Sequence, residues 1–343
     1  MRIITLYSLL LVCSAMWSQE SAMLEHTQEQ PSVGVPAKSY FCVPGVDHKS
    51  RSRGVEISYD WSDGGDIGGI TTEGKGTLGT LRSFEKLNYK LYIPVLMKPD
   101  WKILLGYAYQ PERFNFSNVG PEIQPLVANF QNKYLRSNAY SITSSKSLNE
   151  RNYIGVRAKI AFNGDYDKWM SFDKRYMTIN AMGLFGIKKS EDFEWGFGVY
   201  YSKNMRRSII LPFAMMHKNF NDKWGIEVAP PAYLYLRHNI NEKSILLFGG
   251  EFSSRIYAFD TQKLDAQSIP AEYTLNHGEI NAMITLEQQL IPWVWFSVKG
   301  GYQFGIRSQF ETKAIPDANF RINMPDAPFL QMAIFLSPPD HLK

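Results

Sequence analysis

Six histidines could take part in acid–base or metal chemistry: His26, His48, His217, His238, His277 and His341. Only His277 has a carboxylate that the backbone would bring alongside it. Glu279 follows two positions later, and on an extended chain residues i and i+2 share a face. A carboxylate beside an imidazole can orient it as a general base, which is what a serine nucleophile requires. No serine is placed near this pair by the sequence, so the plainer expectation is a hydrogen-bonded pair in a polar interior. No cluster of His and Cys has zinc-like spacing. The GDIGGI and GKGTLG pieces of residues 63–79 would suit a phosphate cradle, but no GxxxxGK[ST] pattern opens a helix there, and the stretch reads as a mobile loop. The expectation is therefore of no catalytic residue, no metal site and no cofactor.

The charges carry more information. In residues 153–162, Ile154, Val156, Ala158, Ile160 and Phe162 alternate with Gly155, Arg157, Lys159 and Ala161. A strand with apolar residues on one face and cations on the other fits a barrel with lipid outside and water or ion pairs inside. The same alternation turns Lys86, Lys90, Lys102, Arg255, Lys299 and Arg307 inward. Glu56, Asp60, Glu194, Glu251, Glu279 and Glu287 should face the same space. The candidate lumen-lining set is Lys90, Lys102, Arg157, Lys159, Glu194, Glu251, Arg255, Glu279, Lys299 and Arg307. Charges inside a low-dielectric ring must be paired or solvated, so the lumen is either a water-filled pore or a closed ion-pair network. Inward glycines (Gly106, Gly155, Gly196, Gly198, Gly249, Gly301) would leave space and tilt the balance toward a channel or cavity.

The elements that position these residues follow one grammar, set by LNYKLYIPVLMKPDWKILLGYAY at 87–109. Leu87, Tyr89, Leu91, Ile93 and Val95 share a face, Lys98-Pro99-Asp100 turns the chain, and Trp101, Ile103, Leu105, Tyr107 and Tyr109 alternate in the second run. Such strands exceed the ~5–6 residues usual in soluble sheets and match the ~9–11 needed to cross a bilayer at a tilt. Aromatic residues near the ends, with aliphatics between, suit the interfacial girdles of a transmembrane barrel. Similar runs recur at 55–61, 137–147 (weakly), 153–162, 176–187, 193–202, 209–217, 224–228, 233–237, 245–257, 273–287, 293–307 and 329–336. Short connections alternate with long ones near 63–79, 114–134, 163–174, 258–271 and 309–327. The count gives about 14 strands, or about 12 if the weak ones fail, and an even number keeps both termini on the periplasmic side.

Composition agrees. The 343 residues are 44% hydrophobic and 14% aromatic, with a net charge of +4 and a mean hydropathy of −0.26. No long apolar run follows the N-terminus, which excludes a helical membrane protein, and the small scattered charge gives no footprint for nucleic acid. Residues 1–18 read as a signal peptide, with Arg2, an apolar stretch and small residues before Gln19. Cys13 follows Val12 rather than a small residue, which argues against lipidation. Residues 19–53 read as a flexible periplasmic leader, a plug being the lesser alternative. The barrel spans 54–336, and 337–343 form a short tail. A lone Cys42 in the mature chain excludes an internal disulfide framework.

The stretch from Ile57 to Phe116, together with DKWGIEVAPPAYLYLRHNINEKSILLFGGEFSSRIY at 222–257, resembles the uncharacterised outer-membrane β-barrel proteins of Gram-negative gut and marine bacteria. Their barrel domain has no assigned function. The resemblance implies an all-β, antiparallel up-and-down transmembrane barrel in the outer membrane and carries over no site residues. The chain departs from the common outer-membrane ending, because Phe335 does not close it. The partners implied are outer-membrane lipid, the barrel-assembly machinery and a small solute of unknown identity. Passage or uptake of small solutes is the expected function. The alternative is a structural or interaction barrel that displays its outward loops, with an enzyme third.

Overall fold

The computed structural model describes residues 42–338, apart from 72–73, 122, 129–130, 132, 261–271 and 313–319. The expected signal peptide and residues 19–41 of the leader lie outside the described residues, as do 339–343 of the tail. Antiparallel strands follow one another in chain order. The first group is β1 (Val55–Thr71), β2 (Gly74–Met97), β3 (Trp101–Ser117), β4 (Leu135–Ser147) and β5 (Asn152–Gly164). Next come β6 (Met177–Ser190), β7 (Phe193–Lys203), β8 (Ser208–Asn219), β9 (Trp224–Ala229) and β10 (Tyr233–Asn241). The last are β11 (Ser244–Asp260), β12 (Glu272–Ile291), β13 (Val294–Thr312), β14 (Phe320–Asn323) and β15 (Ala327–Leu336).

Each strand pairs with its neighbours in sequence, and β1 pairs with β15 from Val55↔Leu336 to Ser62↔Phe329, closing the ring. The fifteen strands make fourteen staves, since β14 and β15 both lie between β13 and β1 and continue one another. This is a transmembrane β-barrel, and the count agrees with the sequence. Its outer face carries half-exposed apolar residues such as Ile57, Val95, Val156, Phe197, Ile284 and Ile334. Closure leaves no free edge around most of the wall, which is what allows a sheet to cross lipid. The rim where β1 begins and β15 ends is called the near rim, and the opposite one the far rim.

Two sequence expectations are revised, and the weakest strand of the reading is borne out. Residues 63–79 form a hairpin, not a mobile loop: β1 and β2 stay paired to Thr71↔Gly74. Glycine lowers strand propensity, but here it admits close neighbours. A Cβ on Gly65 would come within 2.8 Å of Pro325, and buried Ile67 and Leu78 continue the alternation. The weak run at 137–147 is a full strand, β4, paired along its length on both sides. Its serine-rich face points inward, so it lacked the apolar signal of its neighbours. The loop expected from 114 begins only after Ser117 and contains a one-turn helix, α1 (Gln124–Val127).

The ring is also not uniform. β9 and β10 are short, so β8 pairs with β9 only over Met216–Asn219, and β11 meets β10 only as far as Glu251. Beyond them β5 and β11 approach each other directly, with a parallel bridge between Gly164 and Ala258. Phe162, Tyr166 and Tyr176 pack with Ala258 over this seam, with Met205 beside them. Arg206, in the β7–β8 turn, reaches β13 through the Glu311 carboxylate (3.3 Å) and the Thr312 carbonyl (2.9 Å).

Candidate functional site

Alternation along each strand sends one set of side chains into the lumen, and strand order then decides which of them meet. Near the far rim that set is apolar. Ile67, Leu78, Phe84, Phe116, Phe259 and Phe310 are all buried, and Ile123, Leu126 and Val127 of the α1 segment pack onto them. The far end of the lumen is therefore filled with hydrocarbon.

Midway, the lumen is ionic. Lys90 meets Glu56 at 2.9 Å, Lys86 meets Asp60 at 3.1 Å and Lys299 meets Glu251 at 2.9 Å. Tyr235 also donates to Glu251. Arg255 pairs with Glu279 and, at 3.4 Å, with Glu112, while its guanidinium lies over the Phe84 ring. Arg237, wholly buried, meets Glu227 at 3.5 Å and Asn219. Buried charges of one sign alone are costly, and this wall satisfies nearly all of them with partners of the other sign.

Close to the near rim, residues 42–53 run along the inside of the barrel mouth as a strap. The Cys42 amide donates to Asn149 O (3.0 Å), and the Ser147 hydroxyl donates to Cys42 O. The Gly45 amide donates to Glu194 (2.6 Å), and Asn219 donates to Asp47 O (2.9 Å). Lys49 meets His217 at 3.2 Å, and His217 in turn meets Glu194 at 2.6 Å. Ser50 gives Glu227 both its amide (2.8 Å) and its hydroxyl (2.6 Å). Arg53 ends the strap between Glu56 and Glu287, each at 2.6 Å, with Phe335 beneath its guanidinium. Burial works against the Arg53 charge, but Glu287 and Glu56 outweigh it and hold the proton more tightly than usual. Burial likewise pushes the Cys42 thiol up, with Lys188 pulling the other way.

Between the strap and the ionic wall lies a cavity of about 390 Å³. Arg51 and Arg53 line it from the strap, and Lys90, Glu251, Glu287 and Lys299 from the wall.

The sequence candidates fall into three groups. Lys90, Glu251, Arg255, Glu279 and Lys299 belong to the ion-paired wall, and Glu194 anchors the strap. Lys102, Arg157 and Lys159 share the inward face of β3 and β5, away from any carboxylate partner among the described residues. Arg157 donates to the Tyr92 hydroxyl at 3.2 Å. Arg307 lies in β13, and its side chain is outside the described residues. The space expected at inward glycines is partly taken by aromatic rings. A Cβ on Gly106 would stand 2.7 Å from Tyr92, and one on Gly198 would stand 2.8 Å from Phe213.

The His277–Glu279 pair forms at 3.0 Å, and the structure adds what the sequence lacked: Ser308, with its hydroxyl 2.6 Å from the other ring nitrogen of His277. The signal that locates Ser308 is the β12–β13 register, His277↔Ser308, which only the folded pairing reveals. Serine, histidine and carboxylate are thus in contact, but Glu279 is also bound to Arg255 and all three residues are buried. The void beside His277 is about 10 Å³, room for no acyl group. Acyl transfer requires a reacting carbon within reach of the nucleophile, and this packing supplies no place for one. The described residues contain no group of His, Cys, Asp and Glu suited to hold a metal ion.

Among solved barrels, the chain is similar to an outer-membrane channel of Pseudomonas putida F1 named COG4313, with 8% identity over 88% of this chain and 100% of that one and a TM-score of 0.42. It is similar to a Pseudomonas aeruginosa FadL homologue (10% identity, 82% and 89% covered, TM-score 0.38). It is also similar to the P. putida toluene transporter TodX (9%, 83% and 89%, TM-score 0.34). No curated protein matches the chain in sequence. Residues 128–337 match the model for a domain of unknown function, DUF6268, which is more than half of the chain and covers the barrel from β4 to the last strand. The protein is a member of the DUF6268 family.

Proposed function

We propose that this barrel sits in the outer membrane with its near rim toward the periplasm and passes small solutes through a lumen that is closed at rest. The observation that carries this reading is the charged cavity of about 390 Å³ beneath the strap. A barrel whose lumen served only as structural filling would have no need to leave such space beside desolvated charges. The strap is of a kind that can move. It is a short segment without regular secondary structure, held by hydrogen bonds to side chains of the wall rather than by a hydrophobic core. Segments of that kind open at lower free energy than the strands around them. At the near rim, short turns join the strands, as at 98–100, 191–192, 242–243 and 292–293, and short turns are the mark of the periplasmic side in bacterial barrels.

Conductance in planar bilayers tests the proposal, comparing the native chain with a full-length variant carrying Gly45→Pro and Ser50→Pro in the strap and Leu126→Asp, which unseats α1 from the apolar packing that fills the far end. Proline has no amide hydrogen, so both amide bonds to Glu194 and Glu227 are lost. The variant should show open-channel events far more often than the native protein. Silence of both proteins at every voltage would remove the solute-passage reading.

A further inference from the structure

The lumen charges are unevenly shared between its walls. β4, β5 and β6 contain no aspartate or glutamate at all, and the single glutamate of β3, Glu112, is engaged by Arg255. Yet the inward face of β5 carries Arg157 and Lys159, two residues apart on one stave. Neither has an ion-pair partner among the described residues. Among the described residues Arg157 donates to the Tyr92 hydroxyl, and its Nε has no hydrogen-bond partner. The charged neighbours of Lys159 are Arg157 and Lys90, both cations.

A cation half-removed from water and facing other cations is costly, unless something negative comes to it. The other wall shows how this barrel supplies a carboxylate when the protein itself is to provide the counter-charge. Beside the two cations the chain instead provides neutral donors. Cross-strand pairing sets Ser141 opposite Lys159 and Thr143 opposite Arg157, on the same inward face of β4. A guanidinium fork, an ammonium and hydroxyl donors on adjoining staves are groups that bind oxyanions. Lys90, which is paired with Glu56, lines the 390 Å³ cavity and is a charged neighbour of Lys159, so the cavity beneath the strap is the side from which a ligand would approach the two cations.

We infer that Arg157 and Lys159, with the Ser141 and Thr143 hydroxyls, form a binding site for a small oxyanion, a phosphate or carboxylate group, on the β4–β5 wall of the lumen. The inference builds on the solute-passage reading only in naming the class of solute. Binding itself is independent of whether the barrel conducts.

The test uses the full-length protein in detergent, with inorganic phosphate and acetate as separate probes at constant ionic strength. Millimolar phosphate should raise the thermal midpoint in a saturable way. The Arg157→Gln/Lys159→Gln variant should lose that shift, whereas Lys299→Gln, on the ion-paired wall, should keep it. Since Arg157 and Lys159 repel each other and Lys90, the double variant should still fold, shown by an unchanged heat-modifiable mobility. A response to acetate as well would indicate a general oxyanion site, and a response to phosphate alone would restrict the class to phosphates. An equal phosphate shift in the double variant, or none in the native protein, would overturn the site. If the strap-loosened barrel conducts, reversal potentials under a phosphate gradient should show anion preference that the double glutamine variant loses. Conductance without phosphate binding removes the site and leaves the channel. Binding without conductance removes the channel and leaves the site.

Discussion

Two walls of one lumen solve the same electrostatic problem in opposite ways. On the wall made by β10–β13, β15, β1 and β2, cations meet carboxylates: Lys90 with Glu56, Lys299 with Glu251, Arg255 with Glu279. On the β3–β6 wall, Lys102, Arg157 and Lys159 have no such partner among the described residues, and serine and threonine take the places where carboxylates would stand. A pair is self-sufficient, so the first wall can close on itself and needs no ligand. The second is left with charge that only water or a bound anion can satisfy. The first wall should therefore dominate stability, and the second should dominate what the lumen recognises.

The sharpest way to break this contrast is to remove a cation from the paired wall. Arg255→Gln leaves Glu279 and Glu112 buried together without their counter-charge, and breaking a buried pair costs ~3–5 kcal/mol. The midpoint of urea unfolding in detergent should fall accordingly. An unchanged midpoint would mean that the network contributes nothing.

Next in size is a test of the faces. Val156 is half-exposed on the outside of β5, so Val156→Arg sets a charge against lipid at ~2–4 kcal/mol and should impair assembly. Gly155→Arg points into the unpaired wall, where a Cβ meets nothing closer than Leu184 at 3.7 Å, and should assemble with normal heat-modifiable migration. Equal behaviour of the two would overturn the register.

The strap offers a smaller effect. Gly45 sits at φ 110° with open space around its Cβ position. Gly45→Ala thus adds backbone strain alone, about 1–3 kcal/mol, and loosens the strap rather than the barrel. Alkylation of the buried Cys42 thiol should quicken by about tenfold or more while the global unfolding midpoint stays in place. A fall in the global midpoint with no change in labelling would show the strap to be part of the barrel's cooperative unit.

The smallest expected change is the most pointed. In a chloride buffer free of phosphate and carboxylates, Arg157→Gln with Lys159→Gln should leave the unfolding midpoint within about 0.5 kcal/mol of native, or raise it, since no ion pair is lost. A large destabilisation would show these cations to be structurally paired, and the two walls alike.

Faces were legible in the sequence because a strand has a period of two, and each residue's side follows from its neighbours. Ile154 to Phe162 told lipid from lumen without reference to any other strand, and the stave count followed from counting such runs. Where alternation was weak the reading suffered: 63–79 was misread as a loop, and 137–147 was read as a strand only weakly. The hairpin at 63–79 is rich in glycine, and β4 lines its inner face with small polar residues, so both lacked the contrast that marks a strand.

What no local pattern could supply was partnership. Arg53 meets Glu287 across 234 positions, and Gly45 meets Glu194 across 149. Ser308 reaches His277 only through the β12–β13 register. The strap illustrates the limit best, because residues 42–53 have no periodicity and read as a flexible leader, yet carboxylates from far along the chain hold them in the barrel mouth. The sequence determined which way each charge points, since that is a property of the strand it lies on. Only closure of the ring decided which charges meet, because that depends on strand order and register around the whole barrel, and so only the tertiary structure left Arg157 and Lys159 alone.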